Sequence, residues 1–155
     1  HTNGYSFARK LFFDIGQYDV HDSLPELEKS VGLTLLEPHI NYTNHVFAVL
    51  DKSIDIKGIA HITGGGLLEN IPRILPDGCG IKIQKGSWPK PPVFDVMQHI
   101  GKVEKNEMYR TFNMGIGMVF IVDPSNVNIV KNVLNNLTEV YEIGNVVKGK
   151  KEVSV

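Results

Sequence analysis

Three consecutive glycines, Gly64, Gly65 and Gly66, stand between His61-Ile62-Thr63 and Leu67-Leu68-Glu69-Asn70-Ile71-Pro72-Arg73-Ile74-Leu75-Pro76. The preceding run Ile59-Ala60-His61-Ile62 is apolar enough for a short buried strand. Apolar residues at 67, 68, 71, 74 and 75 then follow helical spacing. A glycine loop feeding a helix N-terminus presents unpaired N–H groups at the positive end of the helix dipole, which suits an anion such as phosphate. The same spacing also suits a tight turn that packs strand against helix. The stretch has neither the Gly-Lys-Ser/Thr ending of a P-loop nor the GxGxxG dinucleotide fingerprint.

A second polar stretch of this kind opens the chain. His1-Thr2-Asn3-Gly4 precedes a helical pattern of Tyr5, Ala8, Leu11, Phe12 and Ile15 on one face, with Gly16 as its stop. Thr2 or Asn3 can cap that helix. Cys79 is the single cysteine, so no internal disulfide can form, and a reducing compartment such as the cytoplasm is expected. It lies in the run Cys79-Gly80-Ile81-Lys82-Ile83-Gln84 and reads as a small core residue.

These groups need a scaffold, and 155 residues suffice for one domain with a real core. The hydrophobic fraction of 42% and charged fraction of 21% are ordinary for a globular protein. A net charge of -1 argues against a broad nucleic-acid or membrane surface. No apolar run approaches the roughly 20 residues of a membrane span, and no signal peptide is visible. The chain opens on His1 and not on Met, inside a motif, and is expected to be part of something longer.

Taken in order, Ser23-Leu24-Pro25-Glu26 reads as a capping box before a short helix. Val46, Phe47, Val49 and Leu50 mark one helical face, and 56–62 is the first clear strand. Pro72 should bend or restart the helix after the glycines. A half-exposed strand over 79–84 leads to the stiff loop Gly86-Ser87-Trp88-Pro89-Lys90-Pro91-Pro92, with Trp88 as a packing anchor. Helices follow over 93–100 and through 104–112. The run 116–122 is almost wholly apolar and predicts a strand covered on both faces. Asp123 and Pro124 open a helix striped by Val127, Val130, Leu134 and Leu137. A final strand is expected over 141–147, then a polar tail. This mixture points to α+β or α/β, with helices on both sides of a sheet.

The motifs together resemble one family. His1-Thr2-Asn3-Gly4-Tyr5-Ser6, Leu36-Glu37-Pro38, the whole 61–76 stretch, Gly86-Ser87-Trp88-Pro89, the segment Glu107-Met108-Tyr109-Arg110-Thr111-Phe112-Asn113-Met114-Gly115-Ile116-Gly117-Met118 and Ile143-Gly144 are similar, in order, to the C-terminal domain of the aminoimidazole ribonucleotide synthetases, or phosphoribosylformylglycinamidine cyclo-ligases. The resemblance covers residues 1–155 as a single C-terminal domain, without the family's N-terminal ATP-binding domain. It implies an α+β, three-layer α/β/α fold with a mixed sheet, helices on both faces and a ferredoxin-like core. It implies ring closure of formylglycinamidine ribonucleotide in purine biosynthesis, with ATP and Mg2+ bound mainly by the missing domain. Its implied partners are that substrate, the protein's own N-terminal domain and a second copy in a cytoplasmic homodimer, with no nucleic acid and no membrane.

Within that resemblance, His1 is the expected catalytic residue, able to move a proton near neutral pH. Substrate or phosphate contacts are expected from Thr2, Asn3, Gly4, His61, Thr63, Gly64, Gly65, Gly66, Asn70, Arg73 and Asn113, with no metal ligands in this chain. Asn70, Arg73, Arg110 and Asn113 are polar residues inside apolar patterns, and pairing of the arginines with Glu69 and Glu107 is the structural alternative. One departure stands out: after Leu36-Glu37-Pro38 the family has Thr-Arg-Ile-Tyr, and here His39-Ile40-Asn41-Tyr42 leaves Ile40 in place of the basic residue. Thiamine-phosphate kinase, selenophosphate synthetase and formylglycinamidine ribonucleotide synthetase share the architecture, and a non-catalytic binding domain is the remaining alternative.

Overall fold

The computed structural model describes residues 3–155. Among the described residues, seven α-helices and five strands follow one another along the chain: α1 (Tyr5–Arg9), α2 (Val31–Leu35), α3 (Thr43–Leu50), β1 (Ile56–His61), α4 (Gly66–Asn70), β2 (Cys79–Ile83), α5 (Pro92–Gly101), α6 (Lys105–Thr111), β3 (Met118–Val122), α7 (Val127–Leu134), β4 (Gly144–Lys148) and β5 (Val153–Ser154). The class is α+β. β1 and β3 pair antiparallel, while β4-β2-β5 forms a second, mixed sheet in which β5 runs parallel to β2. The mixed sheet expected from the sequence is thus the β4-β2-β5 unit, and the β1-β3 ribbon stands beside it. The tail read as polar contributes β5, whose Ser154 hydroxyl donates to the Ile81 carbonyl at 3.3 Å.

The β1-β3 ribbon carries apolar residues on both sides, which explains why its sequence does not alternate. Val119 and Ile121 pack on the larger core, with Ala60, Ile62, Leu67 and Ile71 among its buried members. Phe120, Val122 and Ile56 pack on a smaller cluster built by Val49 of α3 and by Val130 and Leu134 of α7. Gly58 faces the larger core, where a Cβ would lie 2.9 Å from the Ile74 side chain.

Helix boundaries depart from the sequence expectations where local hydrogen bonding overrides periodicity. α1 continues as a π-helical turn over Lys10–Ile15, closed by the Gly16 N–H donating to the Leu11 carbonyl. Its wider turn leaves Ile15 half exposed, while Ala8, Leu11 and Phe12 stay buried. Among the described residues no side chain caps α1; Gly4, at φ 70°, stands at its N-cap. The capping box at 23–26 starts no helix: Ser23 bridges to Ser30, and Ser30 caps α2 by accepting from the Leu33 N–H at 3.4 Å. In α3 the buried residues are His45 and Val49, and Phe47 is 58% exposed. Asp123 does cap as expected, accepting from the Ser125 hydroxyl at 2.6 Å and from its N–H at 2.9 Å, and these bonds hold its carboxyl below the usual range. Pro72 restarts the chain after α4 as a 3-10 turn over Ile71–Ile74.

Candidate functional site

The glycine loop is shaped by a single buried side chain. Asn70 is 5% exposed, and its amide Nδ2 donates to the carbonyls of Thr63 at 3.2 Å, Gly64 at 3.2 Å and Gly66 at 2.8 Å. Its Oδ1 accepts from the Thr63 hydroxyl at 3.1 Å. Gly66 N–H donates to the Thr63 carbonyl, but among the described residues no protein acceptor takes the N–H groups of Gly64, Gly65, Leu67 or Leu68.

The three glycines have three different environments. Gly66, at φ 55°, lies against the backbone of α6: a Cβ would collide with the Tyr109 carbonyl oxygen and sit 2.6 Å from that of Phe112. Gly65, at φ 99°, lies under Glu69, whose Cβ and Oε2 would both be 2.8 Å from an added Cβ. Gly64 has nothing within 4 Å of its would-be Cβ. The first two serve conformation and packing; the third leaves space that a ligand can enter.

The end of α6 also receives the start of α1. A Cβ on Gly4 would lie 2.7 Å from the Phe112 ring and 3.1 Å from the Thr111 methyl. The two polar stretches singled out from the sequence therefore both meet the segment 109–113. Of the expected residues there, Gly4 and the glycine loop are brought to this place, whereas His1 and Thr2 lie outside the described residues. Asn113 is buried and closes a turn, its Oδ1 accepting from the Gly115 N–H at 2.9 Å. The Trp88 indole N–H donates to the Met114 carbonyl at 2.9 Å, fixing Met114 at φ 54° and Gly115 at φ 98°. That turn carries the chain from α6 into β3.

Charge around the loop is balanced. Arg110 reaches Glu69 at 3.4 Å and Glu107 at 3.5 Å, with all three side chains about half exposed, so these pairs orient more than they stabilise. Arg73 is exposed and makes no ion pair among the described residues. His61 ends β1 with an exposed ring, 5.2 Å by centroid from His39 and 6.0 Å from Tyr42, both edge to face. Tyr42 in turn stands 5.4 Å from His45. Burial pushes the Tyr42 phenol above its ordinary pKa, keeping it a neutral hydroxyl. Periodicity of single segments could not reveal this cluster of rings, since its members come from α3, its preceding loop and β1.

Magnesium favours carboxylate oxygens in octahedral geometry. No group of three or more His, Cys, Asp or Glu suited to a metal occurs among the described residues, and both carboxylates beside the loop are engaged by Arg110. The donor set beside the loop does not fit a magnesium site.

A strand, a glycine loop and a short helix clamped by an inward asparagine together form the candidate site. All 155 residues match the family described as AIR synthase related protein, C-terminal domain, and the chain belongs to that family. It is 49% identical over 151 residues to the phosphoribosylformylglycinamidine cyclo-ligase of Thermoanaerobacter sp. (strain X514), covering 97% of this chain and 44% of that protein. It is 50% identical over 139 residues to the enzyme of that name from Trichlorobacter lovleyi, covering 90% and 40%. For that of Pseudothermotoga lettingae the identity is 44% over 156 residues, covering 100% and 45%. The chain therefore spans less than half the length of these relatives.

Proposed function

We propose that this chain is the substrate-side, C-terminal domain of an ATP-dependent cyclo-ligase that closes the imidazole ring of formylglycinamidine ribonucleotide. The observation that carries this reading is the set of N–H groups at Gly64, Gly65 and Leu68 without a protein acceptor among the described residues, beside the open space at Gly64, in a chain whose relatives bear the cyclo-ligase name. ATP supplies the phosphoryl group that turns the formyl oxygen into a leaving group, so that the amidine-side nitrogen can attack the same carbon and phosphate can depart. The contribution of this chain is to bind and orient anionic oxygen. The N–H groups of Gly64, Gly65 and Leu68 are held in place before a ligand arrives, because Asn70 fixes the carbonyls behind them. Arg73, unpaired among the described residues, and the exposed ring of His61 are the side chains left to meet the substrate. ATP and Mg2+ belong mainly to the N-terminal domain in this reading, as does the homodimer contact, and the working compartment is the cytoplasm. His1 and Thr2 stay in the reading as proton-transfer and phosphate-binding residues.

The test is Gly64→Val in the full-length enzyme. The side chain enters open space, so the melting temperature should hold, while kcat/KM should fall by about 10²-fold as an oriented donor is screened. An unchanged kcat/KM would leave the loop as a turn only.

A further inference from the structure

Two carboxylates and one guanidinium stand beside the glycine loop, and one of the carboxylates lies over the loop itself. Glu69 of α4 covers Gly65, with its Oε2 2.8 Å from the place that a Cβ on Gly65 would take. The Gly65 nitrogen is bonded to the same Cα, so this carboxylate is next to an N–H that no acceptor takes among the described residues. A carboxylate that turns onto such a donor makes a strong, charge-assisted bond with it. Yet no side chain caps α4, and Glu69 is engaged elsewhere.

What engages it is Arg110 of α6. The Arg110 Nε is 3.4 Å from Glu69 Oε1, and its Nη1 is 3.5 Å from Glu107 Oε2. Glu107 is itself held on α6, where its Oε1 accepts from the Thr111 hydroxyl at 3.0 Å. The guanidinium is therefore oriented from its own helix and reaches across to α4. All three charged side chains are about half exposed, so these pairs are too weak to hold the helices together. The close approach of Gly66 to the α6 backbone does that. An exposed pair is still strong enough to choose between two positions of one side chain, because rotamers differ by similarly small energies.

We propose that Arg110 is a positioning residue that keeps the glycine loop open by withholding the Glu69 carboxylate from the loop N–H groups. Without the guanidinium, Glu69 turns onto the N–H of Gly65 or Gly64 and fills the place of an anionic oxygen. It also leaves an uncompensated negative charge there, so donor and field are lost together. Direct contact of Arg110 with a substrate anion is the poorer account, because its Nε and Nη1 already face two carboxylates. The proposal rests on the reading of the loop as a receiver of anionic oxygen, but its first test needs no substrate.

That test compares isotope-labelled full-length protein in four forms: wild type, Arg110→Ala, Glu69→Gln and the double variant. In Arg110→Ala the amide proton of Gly64 or Gly65 should move downfield, as an amide does on gaining a charged acceptor. The double variant should return it to the position seen in Glu69→Gln. In steady-state kinetics on the same proteins, Arg110→Ala should raise KM for formylglycinamidine ribonucleotide about fivefold with kcat little changed, the size of one exposed ion pair. Adding Glu69→Gln should bring KM back, and Arg110→Lys, which keeps the charge, should stay near wild type. Loop amides that do not move in Arg110→Ala overturn the proposal. A raised KM that Glu69→Gln fails to restore overturns it as well, since Arg110 then acts by touching substrate or by packing. Moved amides with equal KM in all four forms uphold the hold of Arg110 on Glu69 and instead remove the loop from substrate binding.

Discussion

Asn70 illustrates how one side chain can carry a loop. Its amide makes four hydrogen bonds within the strand-loop-helix unit, three of them donated by a single Nδ2 to main-chain carbonyls. Replacing it with aspartate keeps the size and removes the donor, aiming a carboxylate at three carbonyl oxygens. Asn70→Asp should cost at least about 3 kcal/mol in urea unfolding, since each buried group left unsatisfied costs roughly 1–3 kcal/mol. Asn70→Asp unfolding at the wild-type urea concentration would show that the loop holds its shape without the clamp. The sequence placed Asn70 among the substrate contacts, and polarity within an apolar pattern is indeed what a ligand residue shows. A loop clamp has the same signature. Only the positions of the Thr63, Gly64 and Gly66 carbonyls separate the two, and those arise from backbone geometry.

At the scale of elements, the contact between α4 and α6 decides whether the glycine loop faces outward. Gly66 makes that contact possible by letting the backbones approach with no Cβ between them. Gly66→Ala should lower the melting temperature markedly, with a loss of about 3 kcal/mol or more, because the methyl meets carbonyl oxygens that cannot swing aside. The neighbouring Gly64→Ala should stay within about 0.5 kcal/mol of wild type, so differential scanning calorimetry on the pair reads the difference directly. Equal melting temperatures would mean that α4 and α6 can separate at no cost. The run of three glycines was plain in the sequence, but their division of labour was not. Backbone freedom, close packing and ligand space all call for the same residue type.

For the whole molecule, the class and most elements were legible, because long apolar stripes and proline or glycine punctuation reflect burial that each segment shows by itself. The strand at 118–122, the Asp123 cap and the Trp88 anchor are of that kind. Features joining distant segments were not: the split into two sheets, β5 on β2, and the ring cluster of His39, Tyr42, His45 and His61. His45 lies buried in α3 and His39 beside His61, so of the two histidines near Ile40 only His39 stands at the end of β1. In the proposed reading the loop donors form one wall of the site, and a cyclo-ligase of two domains needs groups from both sides of its cleft. The 155-residue chain alone should give no product from formylglycinamidine ribonucleotide and ATP in a coupled assay. Turnover above a mock preparation would place the complete machinery within these residues.

Trp88 is the sole tryptophan, buried, with its indole bonded to the carbonyl at the hinge between α6 and β3. Its fluorescence therefore comes from one environment, and that environment touches the segment on which the glycine loop and α1 converge. A ligand that shifts residues 109–115 perturbs this emission directly, whereas one that binds elsewhere leaves it alone. The fold thus carries an intrinsic optical gauge of its candidate site, readable without a label and on the timescale of mixing.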